Sequence, residues 1–176
     1  EHCEGQLNCE DGLQAGYDTD DETTRLFAFY FQTLAVPAQR DFDLTEVKKG
    51  RQLFETIQCA SCHAPKFITG MHEIAALSVQ TIFPYTDLLL HDMGEGLADH
   101  RPTYKADGNE WRTSPLWGIG LTRVINPKAT FLHDGRAKTL EEAILWHGGE
   151  AEESREDFKA LSAGDRQALI AFLMSL

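Results

Sequence analysis

The stretch QCASCHAP, residues 58–65, sets two cysteines three positions apart with a histidine directly behind the second. A zinc site, a redox dithiol and a covalently attached haem could each use part of it, and the rest of the chain discriminates among them. A structural zinc site needs four ligands, usually two Cys or Cys–His pairs. Cys59 and Cys62 form one such pair, and Cys3 and Cys9 do not supply a second at the usual spacing. A thioredoxin-like dithiol sits at a strand-to-helix turn in a βαβ setting, whereas Cys59 follows a helical pattern in a chain with hardly any strand signal. Haem attachment, C-x-x-C-H, uses all three residues. The two thiols bond the two vinyl groups, and the adjacent His63 is carried under the iron as its ligand. Cys59, Cys62 and His63 are therefore candidate haem-binding residues, with His63 a metal ligand.

The chain around this motif has 176 residues, enough for one ordinary domain with a real core. With 42% hydrophobic and 25% charged residues it has the composition of a soluble globular protein. A formal net charge of −12 argues against nucleic acid, which calls for a basic face. The acidic surface suits a basic docking partner, although surplus carboxylates more often serve solubility. No apolar run approaches the roughly 20 residues of a membrane span; the best candidate, LFAFYFQTLAV (26–36), is too short and ends at Pro37. The chain begins at Glu1 with neither an initiator Met nor an apolar leader, from which a processed or trimmed polypeptide is expected. With Cys59 and Cys62 committed to the motif, Cys3 and Cys9 remain, and a small-loop disulfide is their natural use; two free thiols on a loose tail are the alternative. A disulfide implies an oxidising, exported compartment such as the periplasm.

Three helices are legible around the motif. DTDDE (18–22) has a faint calcium-loop character, but its carboxylates suit a helix N-terminus, and a helix over 22–35 is expected, stopped by Pro37. FDLTEVKKGRQLFETIQ reads as the next, with Thr45 as N-cap and Val47, Gly50, Phe54 and Ile57 on one stripe. Gly50 within that stripe costs about 1 kcal/mol against alanine, so a close contact should explain it. LSAGDRQALIAFLMSL closes the chain, with Ser162 and Asp165 as a capping pair and Leu169, Phe172, Leu173 and Leu176 apolar. Residues 64–138 are broken by glycine and proline into loops, with little strand. A fourth, shorter helix stands in TLEEAILWHGG (139–149), with Thr139 and Glu142 as a capping box and Gly148–Gly149 as the stop.

On the other face of the iron, Met93 lies in a loop, whereas His147 lies at the end of the short capped helix with Trp146 beside it. A ligand on a packed helix is better held than one on a loop, which favours His147.

A glycine and an aromatic in the helix before the attachment site, facing an aromatic in the C-terminal helix, resemble the helix crossing of class I cytochromes c; here these are Gly50 and Phe54 against Leu169 and Phe172. EWRTSPLWGIGL (110–121), ATFLHDGRAKTLEEAILWHGGEA (129–151) and LLLHDMGEGLAD (88–99) closely resemble the C-terminal half of the di-haem oxidoreductases related to bacterial cytochrome c peroxidase and MauG. In the peroxidases of that family, E-A-V-x-x-M-G supplies the axial Met of the electron-transferring haem, and MauG has Tyr in that slot. This chain reads EAILWHG, so the resemblance implies His63/His147 ligation, with Met93 as runner-up. It also implies, more weakly, a calcium site near Thr113 and Pro115. Arg112 and Arg136 are candidate haem-propionate partners, since guanidinium matches carboxylate as a two-pronged donor. Trp117, with Trp111, Phe131 and Trp146, is a candidate haem wall.

The family uses two haems, and this sequence holds a single C-x-x-C-H. The expectation is a mainly α chain: residues 1–40 as an N-terminal segment with a disulfide loop and one helix, and 41–176 as a cytochrome c-like domain around one covalent haem. Its expected work is single-electron transfer with a redox partner protein or a second haem domain. The alternative is a peroxidase or MauG-like oxidoreductase acting with a second haem on a partner or another segment, and a third option is a redox-inert assembly subunit.

Overall fold

A computed structural model describes residues 19–176, which fall into two compact units, 19–35 and Val36–Leu176. Cys3 and Cys9, and with them the expected disulfide, lie outside the described residues.

The first unit is α1, Asp21–Thr33. Asp20 caps it, its carboxylate accepting the Thr23 N–H at 2.6 Å, while Asp21 and Glu22 sit in the first turn, where the helix dipole favours negative charge. The acidic run is thus a helix start, as the sequence suggests.

The second unit is built on two helices, α2 (Thr45–Thr56) and α6 (Ala163–Ser175). They pack where α2 has no side chain: a Cβ on Gly50 would run into the Ala168 carbonyl and the Cβ of Phe172. Beside this contact the Phe54 and Phe172 rings meet edge-to-face at 5.4 Å, and Tyr85 completes an aromatic trio, 6.0 Å from Phe54 and 5.7 Å from Phe172. Val47, Ile57, Leu169, Leu173 and Leu176 fill the core around them. One expectation needs correction: Thr45 is the first helical residue, and the cap position falls on Leu44, whose side chain caps nothing. Ser162 does cap α6, accepting the Asp165 N–H at 3.2 Å and donating its hydroxyl to the Asp165 carboxylate at 2.7 Å.

Between α2 and α6 the chain is mostly loop. Two antiparallel ribbons punctuate it, β1 (Phe67–Ile68) with β2 (Thr81–Ile82) and β3 (Leu90–Asp92) with β4 (Glu110–Arg112). A four-residue helix α3 (Thr122–Ile125) follows. Then α4 (Leu140–Trp146) buries Leu140 and Ala143, and α5 (Glu152–Ala160) buries Phe158 completely. The molecule is mainly α. Helix α5 is absent from the sequence reading because its apolar signal is a single phenylalanine among charges. Its exposed face is tied by Arg155 to Glu152 and Lys159 to Glu156, pairs one turn apart.

Candidate functional site

The cysteines reach the site through one bend. Helix α2 ends at Thr56 with Ile57 as its C-cap, Gln58 takes a left-handed conformation (φ 63°), and a single tight turn carries Cys59–Ser61. The His63 N–H then donates to the Cys59 carbonyl at 3.0 Å. Cys59, Cys62 and His63 all line one cavity of about 350 Å³, with His147, Met93 and Arg112 among its other walls. Phe54, Leu116, Phe131, Leu140, Ile144 and Leu169 make it chiefly apolar.

Two half-buried imidazoles face each other there. The His63 and His147 ring centroids lie 6.5 Å apart. Two metal–nitrogen bonds of about 2 Å, with half an imidazole ring at each end, span a distance of this size. His63 Nδ1 stands 3.0 Å from the Tyr85 carbonyl, and His147 Nδ1 stands 2.8 Å from the Ala143 carbonyl. A carbonyl can only accept, so each Nδ1 carries the proton and each Nε2 keeps a free lone pair. Burial pushes His63 down to about 4, against the Tyr85 hydrogen bond and with the neighbouring His147 adding to the shift. Burial also lowers His147, against its bond to Ala143. Both rings are therefore neutral at neutral pH, the form in which imidazole binds a metal.

Helix α4 sets the position of His147. The Thr139 hydroxyl accepts the Glu142 N–H at 3.0 Å, and the Glu142 carboxylate accepts from the Lys138 N–H rather than from Thr139. The helix stops at Trp146, so His147 is its C-cap and not a helical residue, held by its bond back to Ala143 and by Arg155, which donates to its carbonyl at 3.0 Å. Behind it, Gly148 and Gly149 lie against the Met93 and Asp92 carbonyls, and a Cβ on Gly149 would strike the Asp92 oxygen.

Burial pushes the Cys59 thiol up to about 12, and burial with the nearby Asp87 and Glu150 carboxylates also raises Cys62. Thiols held protonated are poor metal ligands and poor redox nucleophiles, both of which need thiolate. Cys62, Asp87 and His91 do present three donor atoms within 4.8 Å of one another. However, carboxylates already occupy both His91 nitrogens, Asp87 at Nε2 and Glu150 at Nδ1, each at 2.8 Å.

The remaining candidates divide. Arg112 is exposed on the cavity wall. Arg136 is not among the walls: its guanidinium pairs with Asp134, donates to the Gly96 carbonyl and lies 4.9 Å over the Trp146 ring. Trp117 is not among them either and lines a second cavity of about 610 Å³ with Pro37, Arg51, Phe83 and Tyr85. Trp111 does line the first cavity, stacked on His133 at 4.8 Å with its indole N–H donating to the Leu97 carbonyl. The Thr113 carbonyl, which the family resemblance puts near calcium, accepts the Thr86 hydroxyl at 2.6 Å. Sequence reasoning missed the Asp87–His91–Glu150 cluster and the two carbonyls that orient the imidazoles. A backbone acceptor carries no residue signature, and His91 and Glu150 are 59 residues apart.

Among protein-family models, the one described as "Di-haem oxidoreductase, putative peroxidase" matches residues 4–176. The chain belongs to the di-haem oxidoreductase family. Membership brings haem as cofactor and a peroxidase-like redox role. No curated protein and no solved structure matches the chain.

Proposed function

We propose that this chain holds one haem covalently through Cys59 and Cys62, with the iron between His63 and His147, in a cytochrome c-like domain that passes single electrons. The observation that carries the reading is a pair of imidazoles with ring centroids 6.5 Å apart, each with its Nδ1 on a backbone carbonyl, at one cavity that Cys59 and Cys62 also line. The donor set suits the group: two thiols for attachment, two nitrogen lone pairs for one metal, and apolar walls elsewhere. Haem iron supplies a one-electron change between its ferric and ferrous states. The chain's own residues do the rest. Tyr85 and Ala143 hold each imidazole in the tautomer that can ligate, and Phe54, Phe131, Ile144 and Leu169 keep water from the metal. Arg112, exposed on the cavity wall, is placed to meet a propionate. Were His63 and His147 both to hold the metal, no position would be left for peroxide, so the reading is a relay rather than a peroxide-binding centre.

Its partner is a redox protein or a second haem domain, and the acidic surface suits a basic one. An exported, periplasmic setting goes with this reading, because Cys3 and Cys9 suit a disulfide there. The alternative is an oxidoreductase that reacts with peroxide at a second haem outside these 176 residues. It draws on the two-haem character of the family against the single C-x-x-C-H of this sequence. Calcium rests on the resemblance alone.

Acid–acetone extraction followed by intact mass tests the attachment. One haem should stay on each polypeptide, and haem released into the solvent would end the reading. Cys62→Ala should yield, at best, a singly attached and poorly matured product.

A further inference from the structure

We propose that His91 is a clamp joining the two arms that present His63 and His147, a positioning residue that sets their separation. The inference rests on both histidines being the iron ligands. His91 sits in the middle of β3, opposite Trp111, and its two ring nitrogens face opposite supports. Nε2 lies 2.8 Å from Asp87 Oδ2, and Nδ1 lies 2.8 Å from Glu150 Oε2. A neutral imidazole has one N–H, so two carboxylates at this distance hold the ring doubly protonated, as a cation between two anions.

Each carboxylate stands on one ligand's support. Asp87 is two residues beyond Tyr85, whose carbonyl orients His63. That segment is strained, with Tyr85 at φ 53° and Leu88 at φ 62°, conformations that non-glycine residues keep only where their surroundings enforce them. The Asp87 carboxylate helps to do so, also accepting the Leu89 N–H at 2.9 Å. Glu150 stands in the turn just after His147, and its second oxygen accepts the Asp92 N–H at 3.1 Å. The same ring lies 3.7 Å from the Cys62 sulfur. One side chain thus ties together the carbonyl behind His63, the turn behind His147 and an attachment cysteine.

The test is made on the haem-loaded protein, in the ferric state and well below its melting temperature. It compares cyanide association rate and spin state for the unmodified chain, His91→Ala, Glu150→Gln and, as a control, His100→Ala in an exposed pair. The clamp predicts that the unmodified chain is low-spin and takes cyanide slowly. His91→Ala should gain a high-spin fraction and bind cyanide about tenfold faster, because the form with an open sixth position becomes more populated. Glu150→Gln should move both readouts in the same direction, and adding it to His91→Ala should change little further. His100→Ala should move neither.

A general loss of stability would lower the melting temperature without changing cyanide entry in the folded state. If His91→Ala and Glu150→Gln keep the unmodified rate and spin state, the clamp is wrong whatever their melting temperatures. Should His91→Ala fail to accumulate, Glu150→Gln decides alone, since its side chain is 55% exposed and its amide oxygen can still accept from Asp92. An unmodified chain that is already high-spin ends both this inference and the relay reading. A low-spin chain whose variants do not respond ends only this one.

Discussion

His91 is the residue whose chemistry is least visible in the one-dimensional chain. Its protonation is raised first by its hydrogen bond to Glu150, against desolvation, and then by Asp87; the Cys62 thiol is the other titratable group facing it. A histidine with a folded value above the unfolded value of about 6.5 contributes stability that is fully present below that pH. The contribution is lost as pH rises through the folded value. Chemical unfolding of the unmodified protein should therefore show stability falling as the pH is raised above about 6.5, with the fall reduced in His91→Ala. Parallel pH profiles would show that the two carboxylates contribute nothing through this ring. The same scale explains what the motif could and could not reveal. C-x-x-C-H names Cys59, Cys62 and His63 because attachment chemistry demands those residue types at that spacing. His147 is favoured over Met93 by its place at the end of a capped helix, and the family slot then points to the same residue. Arg136 and Trp117 answered to residue type alone, and the fold gives Arg136 to Asp134 and Trp146, and Trp117 to the second cavity.

At the scale of elements, Gly50 makes the most exposed claim. Its missing side chain is what lets α2 lie against the Ala168 carbonyl of α6. Gly50→Ala would gain helix propensity and still lose stability, by about 1–3 kcal/mol from overpacking against backbone that cannot yield. Denaturant unfolding measures this directly, and a stabilised variant would mean that the two helices do not meet there. Thr139→Ala should cost about 1 kcal/mol through the lost cap of α4. It should also loosen His147 at the other end of that short helix, seen as a small high-spin fraction in the ferric spectrum. Helices α2, with its clear apolar stripe, and α4 and α6, with their side-chain caps, are legible because local chemistry and core packing agree on them. Helix α5 is not, since Phe158 supplies its only buried contact, and the ribbons β1–β2 and β3–β4 are too short to build an alternating pattern. The step of His147 from helix to C-cap follows from Gly148–Gly149 and the close approach of residues 92–94, a contact between segments far apart in sequence.

For the molecule as a whole, the central claim is that one iron sits between His63 and His147 and so relays electrons instead of binding peroxide. Bis-imidazole ligation should give a lower reduction potential than His/Met, since thioether is the weaker donor to ferric iron. Association with a basic redox partner should slow as salt is raised, because a chain of net charge −12 attracts such a partner through a screened field. The measurement that reaches the claim most directly is the ferric absorption and electron paramagnetic resonance spectrum of the haem-loaded protein beside those of His147→Ala and Met93→Ala. The account predicts a low-spin spectrum without the far-red charge-transfer band of Met ligation. That spectrum should be kept in Met93→Ala and converted to high-spin in His147→Ala, with peroxide reactivity appearing in the latter alone. A low-spin spectrum that survives His147→Ala and collapses in Met93→Ala, or an unmodified chain that is high-spin and turns over peroxide unaided, would contradict it.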